Sequence, residues 1–196
     1  ALEERIKDLL DNQSNPTIAP LARMGEVTLR LTAKAIEINE AKKLILPVEL
    51  EIKKRVGEYL YAYDDQTIEQ IVAELLATKN KTIAIAESCT GGLISDRLTN
   101  IPGISKYFEG GVVSYSSLSK GELLGVRRDT LSNFGAVSEQ TASEMARGVR
   151  LTAGTDIGIS TTGIAGPSGA TRDKPVGMVY IAYSDSSGET VEKHIF

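Results

Sequence analysis

Ser88, Cys89 and Thr90 stand in a row at the end of the apolar run "TIAIA" (Thr82 to Ala86), and Gly91 and Gly92 follow at once. A turn does not need a hydroxyl, a thiol and a second hydroxyl before two glycines. Ser88 has two readings. It could cap the helix that follows, or it could be a nucleophile at a strand-to-helix turn. In the second case, free N–H groups at the helix start would receive an anion or oxyanion. Gly91 and Gly92 would let the backbone approach a ligand closely. Cys89 has no histidine partner and reads as a small buried residue rather than a nucleophile.

The base for such a serine is constrained by what the chain lacks. It has one histidine, His194, and one cysteine, in 196 residues. A metal site built on several histidines or cysteines is therefore excluded, and a Ser-His-Asp triad would have to use that single His. Lys120, at the end of "SYSSLSK", is the alternative. Its ordinary fate is a solvated surface lysine. As a base it would have to be neutral, and a lysine with a pKa of ~10.4 becomes neutral near pH 7 only through burial or a neighbouring cation. Ser-Lys pairs are a known substitute for Ser-His. Tyr115, five residues earlier, could share the proton or simply pack. The loop "TTGIAGPSGA" (Thr161 to Ala170) places Gly163, Gly166 and Gly169 at three-residue spacing around Pro167. It is either an ordinary connection or a set of N–H nests that lines a phosphorylated ligand.

The elements that position these residues can be read from periodicity. Leu2, Ile6, Leu9 and Leu10 give a helix over 2–12, and "TIAPLAR" and "EVTLRLTAK" give strands. "PVELEIKKRVGEYL" reads as a helix with Pro47 at its start. Residues 1 to about 64 thus form a small α+β unit. A second begins with an amphipathic helix over 65–80, with Thr67 as N-cap and Ile68, Ile71, Val72, Leu75 and Leu76 as its apolar stripe. Then follow the strand 82–86, a helix over 92–99, a strand over 110–116 and a helix over 136–153 with Ser138 as N-cap. Strands over 156–163 and 176–184 follow. His194 sits in a further strand pattern. Alternating strands and helices indicate a three-layer α/β domain with a largely parallel mixed sheet. Three strands end in small polar residues: Ser88-Cys89-Thr90, Ser114-Tyr115-Ser116 and Thr161-Thr162-Gly163. Ligand sites in such sheets lie beyond the carboxyl ends of the strands.

Composition narrows the partners. The net charge of −4 argues against a large nucleic-acid footprint. No apolar run approaches the ~18 residues of a membrane span, and the N-terminus lacks a secretory pattern. A single cysteine fits a reducing compartment, so the expected location is the cytoplasm.

The blocks "AESCTGG", "GGVVSYSSLSK", "LLGV", "GAVSE", "TTGIAGPSG" and "KPVGMVYIA" occur in this order. Together they resemble the C-terminal domain of the CinA (competence/damage-inducible) family, the nicotinamide mononucleotide deamidases. Residues 65–196 carry this resemblance, and 1–64 look like the KH-type middle domain of full-length CinA proteins. They contain no Gly-x-x-Gly loop for nucleic acid. The resemblance implies an amidohydrolase that converts nicotinamide mononucleotide to nicotinic acid mononucleotide and ammonia, without metal or cofactor. It assigns Ser88 as nucleophile, Lys120 and Tyr115 as the base pair, and Thr162 as a ligand contact. The substrate-contacting set is expected to be Cys89, Thr90, Gly91, Gly92, Gly111, Thr162, Gly163, Ala165 and Gly166. Family members commonly pair as homodimers. Ser117 stands where the family usually has Asn, and Ser168 where it usually has Gly. Members also carry an Arg-containing segment and a final helix beyond the last strand, and a further N-terminal domain, so the chain is expected to be trimmed at both ends. The alternative is a non-catalytic nucleotide-binding or scaffold module in which Ser88 is only a cap.

Overall fold

In the computed structural model, which describes residues 2–23 and 25–196, the chain divides into two units, 1–65 and 66–196. The first has short helices α1 (Leu2–Arg5) and α2 (Lys7–Asp11), an antiparallel hairpin of β1 (Thr17–Arg23) and β2 (Glu26–Thr32), and the long helix α3 (Ile38–Val56). Ile6, Ile18, Ile52 and Val56 form its core. Helix α3 starts nine residues before the proline that was expected to open it, and Pro47 lies inside it. A proline there forfeits one main-chain hydrogen bond. The apolar face through Val48, Ile52 and Val56, buried against the hairpin and α1–α2, outweighs that loss.

The second unit opens with α4 (Ile68–Lys79), capped as its sequence suggests. The Gln70 N–H donates to the Thr67 hydroxyl, and the Thr67 N–H donates to the Gln70 side chain at 2.8 Å. There follow β3 (Ile83–Glu87), α5 (Leu93–Thr99), β4 (Phe108–Val113), α6 (Ser117–Leu124), α7 (Arg128–Phe134), α8 (Glu139–Ala153), β5 (Ile157–Gly163), β6 (Met178–Asp185) and β7 (Gly188–Ile195). The sheet runs β4-β3-β5-β6-β7. The first three strands are parallel, and β6 and β7 are antiparallel additions.

Strand β3 is buried from end to end, so its period of two decides which helix each residue meets. Ile83 and Ile85 pack with Leu76 of α4 and Leu98 of α5 on one face. Ala84 and Ala86 pack with Leu124 of α6 and with Met145 and Val149 of α8 on the other. The result is three layers. Helix α8 seats closely because two contacts lack a side chain. A Cβ on Gly158 would lie 2.1 Å from the Ala146 carbonyl, and one on Gly148 would lie 1.9 Å from that of Leu124. The sequence did not announce α6 or α7, since each is a turn or two long and weakly periodic.

Candidate active site

The parallel order β4-β3-β5 brings the three polar strand ends side by side. The Ser114 N–H donates to the Glu87 carbonyl at 2.8 Å, and the Ser88 N–H donates to the Thr161 carbonyl at 3.0 Å. Alternation along β3 turns Ser88 toward the α6–α8 face and Glu87 toward the α4–α5 face. Helix α6 begins at a Ser116–Ser119 capping box, which places Lys120 in its second turn, one turn before the buried Leu124. The lysine therefore enters the core from the same side as Ser88.

Lys120 is fully buried, and its Nζ lies 2.9 Å from Ser88 Oγ and 2.5 Å from the Ser114 carbonyl oxygen. Among the described residues no carboxylate pairs with it. Burial lowers its pKa below the usual lysine value and outweighs the opposing effect of the nearby Cys89. Ser88 itself is 8% exposed. Such a pair can pass a proton: the neutral amine keeps one N–H on the Ser114 carbonyl and offers its lone pair to the serine O–H.

Ser88 does not cap the following helix. The N-cap of α5 is Gly92, at φ 103° and without a side-chain hydrogen bond. The Gly91 N–H donates to the Ser88 carbonyl and the Leu93 N–H to the Thr90 carbonyl. The Cys89 and Thr90 N–H groups donate to no main-chain carbonyl among the described residues; both face the Cys89 sulfur, where they work against the effect of burial on its pKa. The Cys89 thiol is half-buried, and burial raises its pKa, which leaves it protonated and unreactive.

The other expected residues are placed as follows. Tyr115 is 78% exposed, and no hydrogen bond joins it to Ser88 or Lys120 among the described residues. Thr162 is buried and donates to the Ala136 carbonyl at 2.8 Å. Thr90 and Thr161 join their hydroxyls at 2.8 Å. Gly111 seats α5, since a Cβ there would fall 2.1 Å from Ser95 Oγ. Gly163 ends β5 opposite Val179. Ala165 and Gly166 lie in the glycine loop, where Gly166 and Gly169 adopt positive φ. His194 lies on β7 beside Glu192 at 2.9 Å, outside the cluster. Cavities of about 320 and 300 Å³ flank α4 and involve none of these residues.

Three supports lie outside the expected site residues. Lys174 donates to the carbonyls of Phe134 and Val137 at 2.8 and 2.7 Å and so ties the glycine loop to the α7–α8 connection. Ser114 lends its carbonyl to Lys120, while its own buried hydroxyl has no hydrogen-bond partner among the described residues. Glu87 is fully buried, and its carboxylate accepts from Gly92, Ile94 and Ser95. A hint existed only for Glu87: a glycine at the N-cap leaves the helix start needing an acceptor from elsewhere.

These features define an α/β domain with a buried lysine–serine pair at the carboxyl ends of its parallel strands. The chain belongs to the CinA family. Residues 65–196 match the CinA C-terminal domain, and residues 1–62 match the damage-inducible protein CinA KH domain. It is 54% identical over 196 residues to a protein of Clostridium beijerinckii named as competence-damage inducible, covering 100% of this chain and 48% of that one. It is 50% identical over 190 residues to a CinA-like protein of Kosmotoga olearia, covering 97% and 46%. The chain thus spans slightly less than half the length of these relatives. Among solved structures, the competence/damage inducible protein CihA of Agrobacterium tumefaciens is 38% identical, with a TM-score of 0.62, covering 69% of this chain and 81% of that one. The CinA superfamily protein of Escherichia coli is 28% identical, with a TM-score of 0.64, covering 72% and 85%.

Proposed function

We propose that the protein is an amidohydrolase that converts nicotinamide mononucleotide to nicotinic acid mononucleotide and ammonia. The observation that carries this reading is the 2.9 Å contact between a buried, unpaired lysine and Ser88. The substrate is proposed from the family resemblance, as are action as a homodimer and a cytoplasmic location.

Lys120 in its neutral form takes the Ser88 proton, and Ser88 Oγ bonds to the carboxamide carbon. The carbonyl π pair moves onto oxygen, which the Cys89 and Thr90 N–H groups receive. One such donor is typically worth 10²–10³ in rate. The C–N bond then breaks, Lys120 returns its proton to nitrogen, and ammonia leaves. Water, deprotonated by the same amine, cleaves the ester and restores Ser88. Tyr115 is exposed, and in this reading its ring suits stacking on a cationic pyridinium better than proton transfer from the buried amine.

The phosphate belongs on the glycine loop in this reading. The N–H groups of Gly92, Ile94 and Ser95 are already taken by Glu87. Those of Ala165, Gly166, Ser168 and Gly169 make no main-chain hydrogen bond among the described residues, and loop N–H groups of this kind form anion nests.

The test is ammonia release from nicotinamide mononucleotide, with binding measured in parallel. Ser88→Ala and Lys120→Ala are expected to abolish release while the fold and binding persist. Full release by either variant would exclude that residue's role. Binding without release by the unaltered protein would support a non-catalytic nucleotide-binding module instead.

A further inference from the structure

Glu87 and Lys120 are the two charged residues that are buried among the described residues, and they stand on either side of Ser88 without meeting. Strand alternation sends the Glu87 side chain to the α5 face. There Oε2 accepts from the N–H groups of Gly92 and Ile94 at 3.1 Å each, and Oε1 accepts from the Ser95 N–H at 2.9 Å and the Ser95 hydroxyl at 2.7 Å. Burial by itself favours the protonated acid. The hydrogen bonds from Thr90, Ser95 and Ile94 outweigh it and hold the pKa below the usual glutamate range.

This arrangement fixes the segment 88–91 at both ends. At its start, the sheet holds Ser88 through the Thr161 carbonyl and holds Glu87 through the Ser114 N–H. At its far end, the carboxylate holds the first turn of α5 against the strand. Gly111 makes room for the Ser95 hydroxyl that completes the clamp. The Cys89 and Thr90 N–H groups, which bond no main-chain carbonyl among the described residues, lie inside the fixed segment. With its charge spent on helix N–H groups, the carboxylate is also kept from Lys120, where an ion pair would hold the amine protonated.

We infer that Glu87 is the positioning residue of this site: its buried carboxylate locks the Ser88 turn to α5 and so sets the direction of the Ser88 hydroxyl toward Lys120. The inference rests on Ser88 being the nucleophile of the proposed reaction. Its test therefore uses a readout independent of the substrate. A fluorophosphonate reacts with an activated serine: the Ser88 Oγ–P bond forms, and fluoride leaves with the bonding pair. The rate is followed by intact mass, with Ser88→Ala as the unlabelled control. In parallel, kcat and KM are measured for ammonia release, and folding is checked by circular dichroism. Glu87→Gln is expected to lose on the order of 10²-fold in labelling rate and kcat with little change in KM, as for a misplaced catalytic group. Glu87→Asp should recover part of the loss. Ser95→Ala, which removes the Ser95 hydroxyl and leaves the three main-chain N–H donors, should lose less and remain folded, and it decides the matter if Glu87→Gln does not fold. The inference is overturned if the folded variants label and turn over at the wild-type rate, or if Ser88 of the unaltered protein is never labelled. Wild-type labelling without ammonia release would overturn the substrate reading alone, because the labelling rates still decide the role of Glu87.

Discussion

Lys120 shows how far a single residue departs from its usual behaviour here. Lysine is almost never fully buried without an anion, yet among the described residues this one has only a hydroxyl and a carbonyl for hydrogen-bond partners. The free-energy penalty of hiding the charge and the readiness to lose it have the same cause. Burial lowers the pKa in the fold, so between the folded midpoint and ~10.4 the unfolded chain binds more protons, and stability rises with pH across that window. Lys120→Met removes the penalty. It is expected to melt higher than the unaltered protein at pH 7, with the advantage shrinking as pH approaches ~10.4, and to release no ammonia. Thermal melts over a pH series check this. A Met variant that melts lower at pH 7, with no pH trend, would mean that the lysine is stabilised in place.

At the scale of elements, the site depends on how closely α8 and α6 approach the sheet and each other. Gly148 is the tightest point of that packing, with the Leu124 carbonyl where a Cβ would stand. Alanine in a helix interior is ordinarily better than glycine by roughly 1 kcal/mol, but the obstruction here is main chain and cannot rotate away. Gly148→Ala is expected to destabilise by about 1–3 kcal/mol, as overpacked cores do, and to lower kcat by moving α6 and Lys120 away from Ser88. Melting temperature and kcat report both effects, and a variant that is more stable and fully active would refute the close approach. The elements differed in how legible they were. Helices α4 and α8 were readable because Thr67 and Ser138 cap clear apolar stripes. Helix α6 was not, because eight residues with two capping serines show little periodicity. The start of α3 was hidden by Pro47, whose local signal says helix start while tertiary burial says helix interior.

For the molecule as a whole, the parallel β4-β3-β5 core converts three separate sequence signals into one cluster. That convergence was readable, since polar residues at successive strand ends point to a shared edge. Ser88 and Lys120 were readable too, one from its place at a strand end and the other from the shortage of histidine. The Glu87 clamp, the carbonyl of Ser114 and the Lys174 tie were not, because each depends on a contact between segments that are far apart or on opposite strand faces. The 1–65 unit has its own core and supplies none of these residues, so the chemistry argued here belongs to residues 66–196. What the account stands on most is the protonation of one amine inside the intact fold. With lysines 13C-labelled at Cε and Lys120 assigned through Lys120→Arg, an NMR titration reads that amine directly. The predicted result is a Lys120 midpoint shifted down from ~10.4 toward neutrality while the exposed lysines titrate normally. A Lys120 midpoint at or above ~10.4 in the folded protein would contradict it.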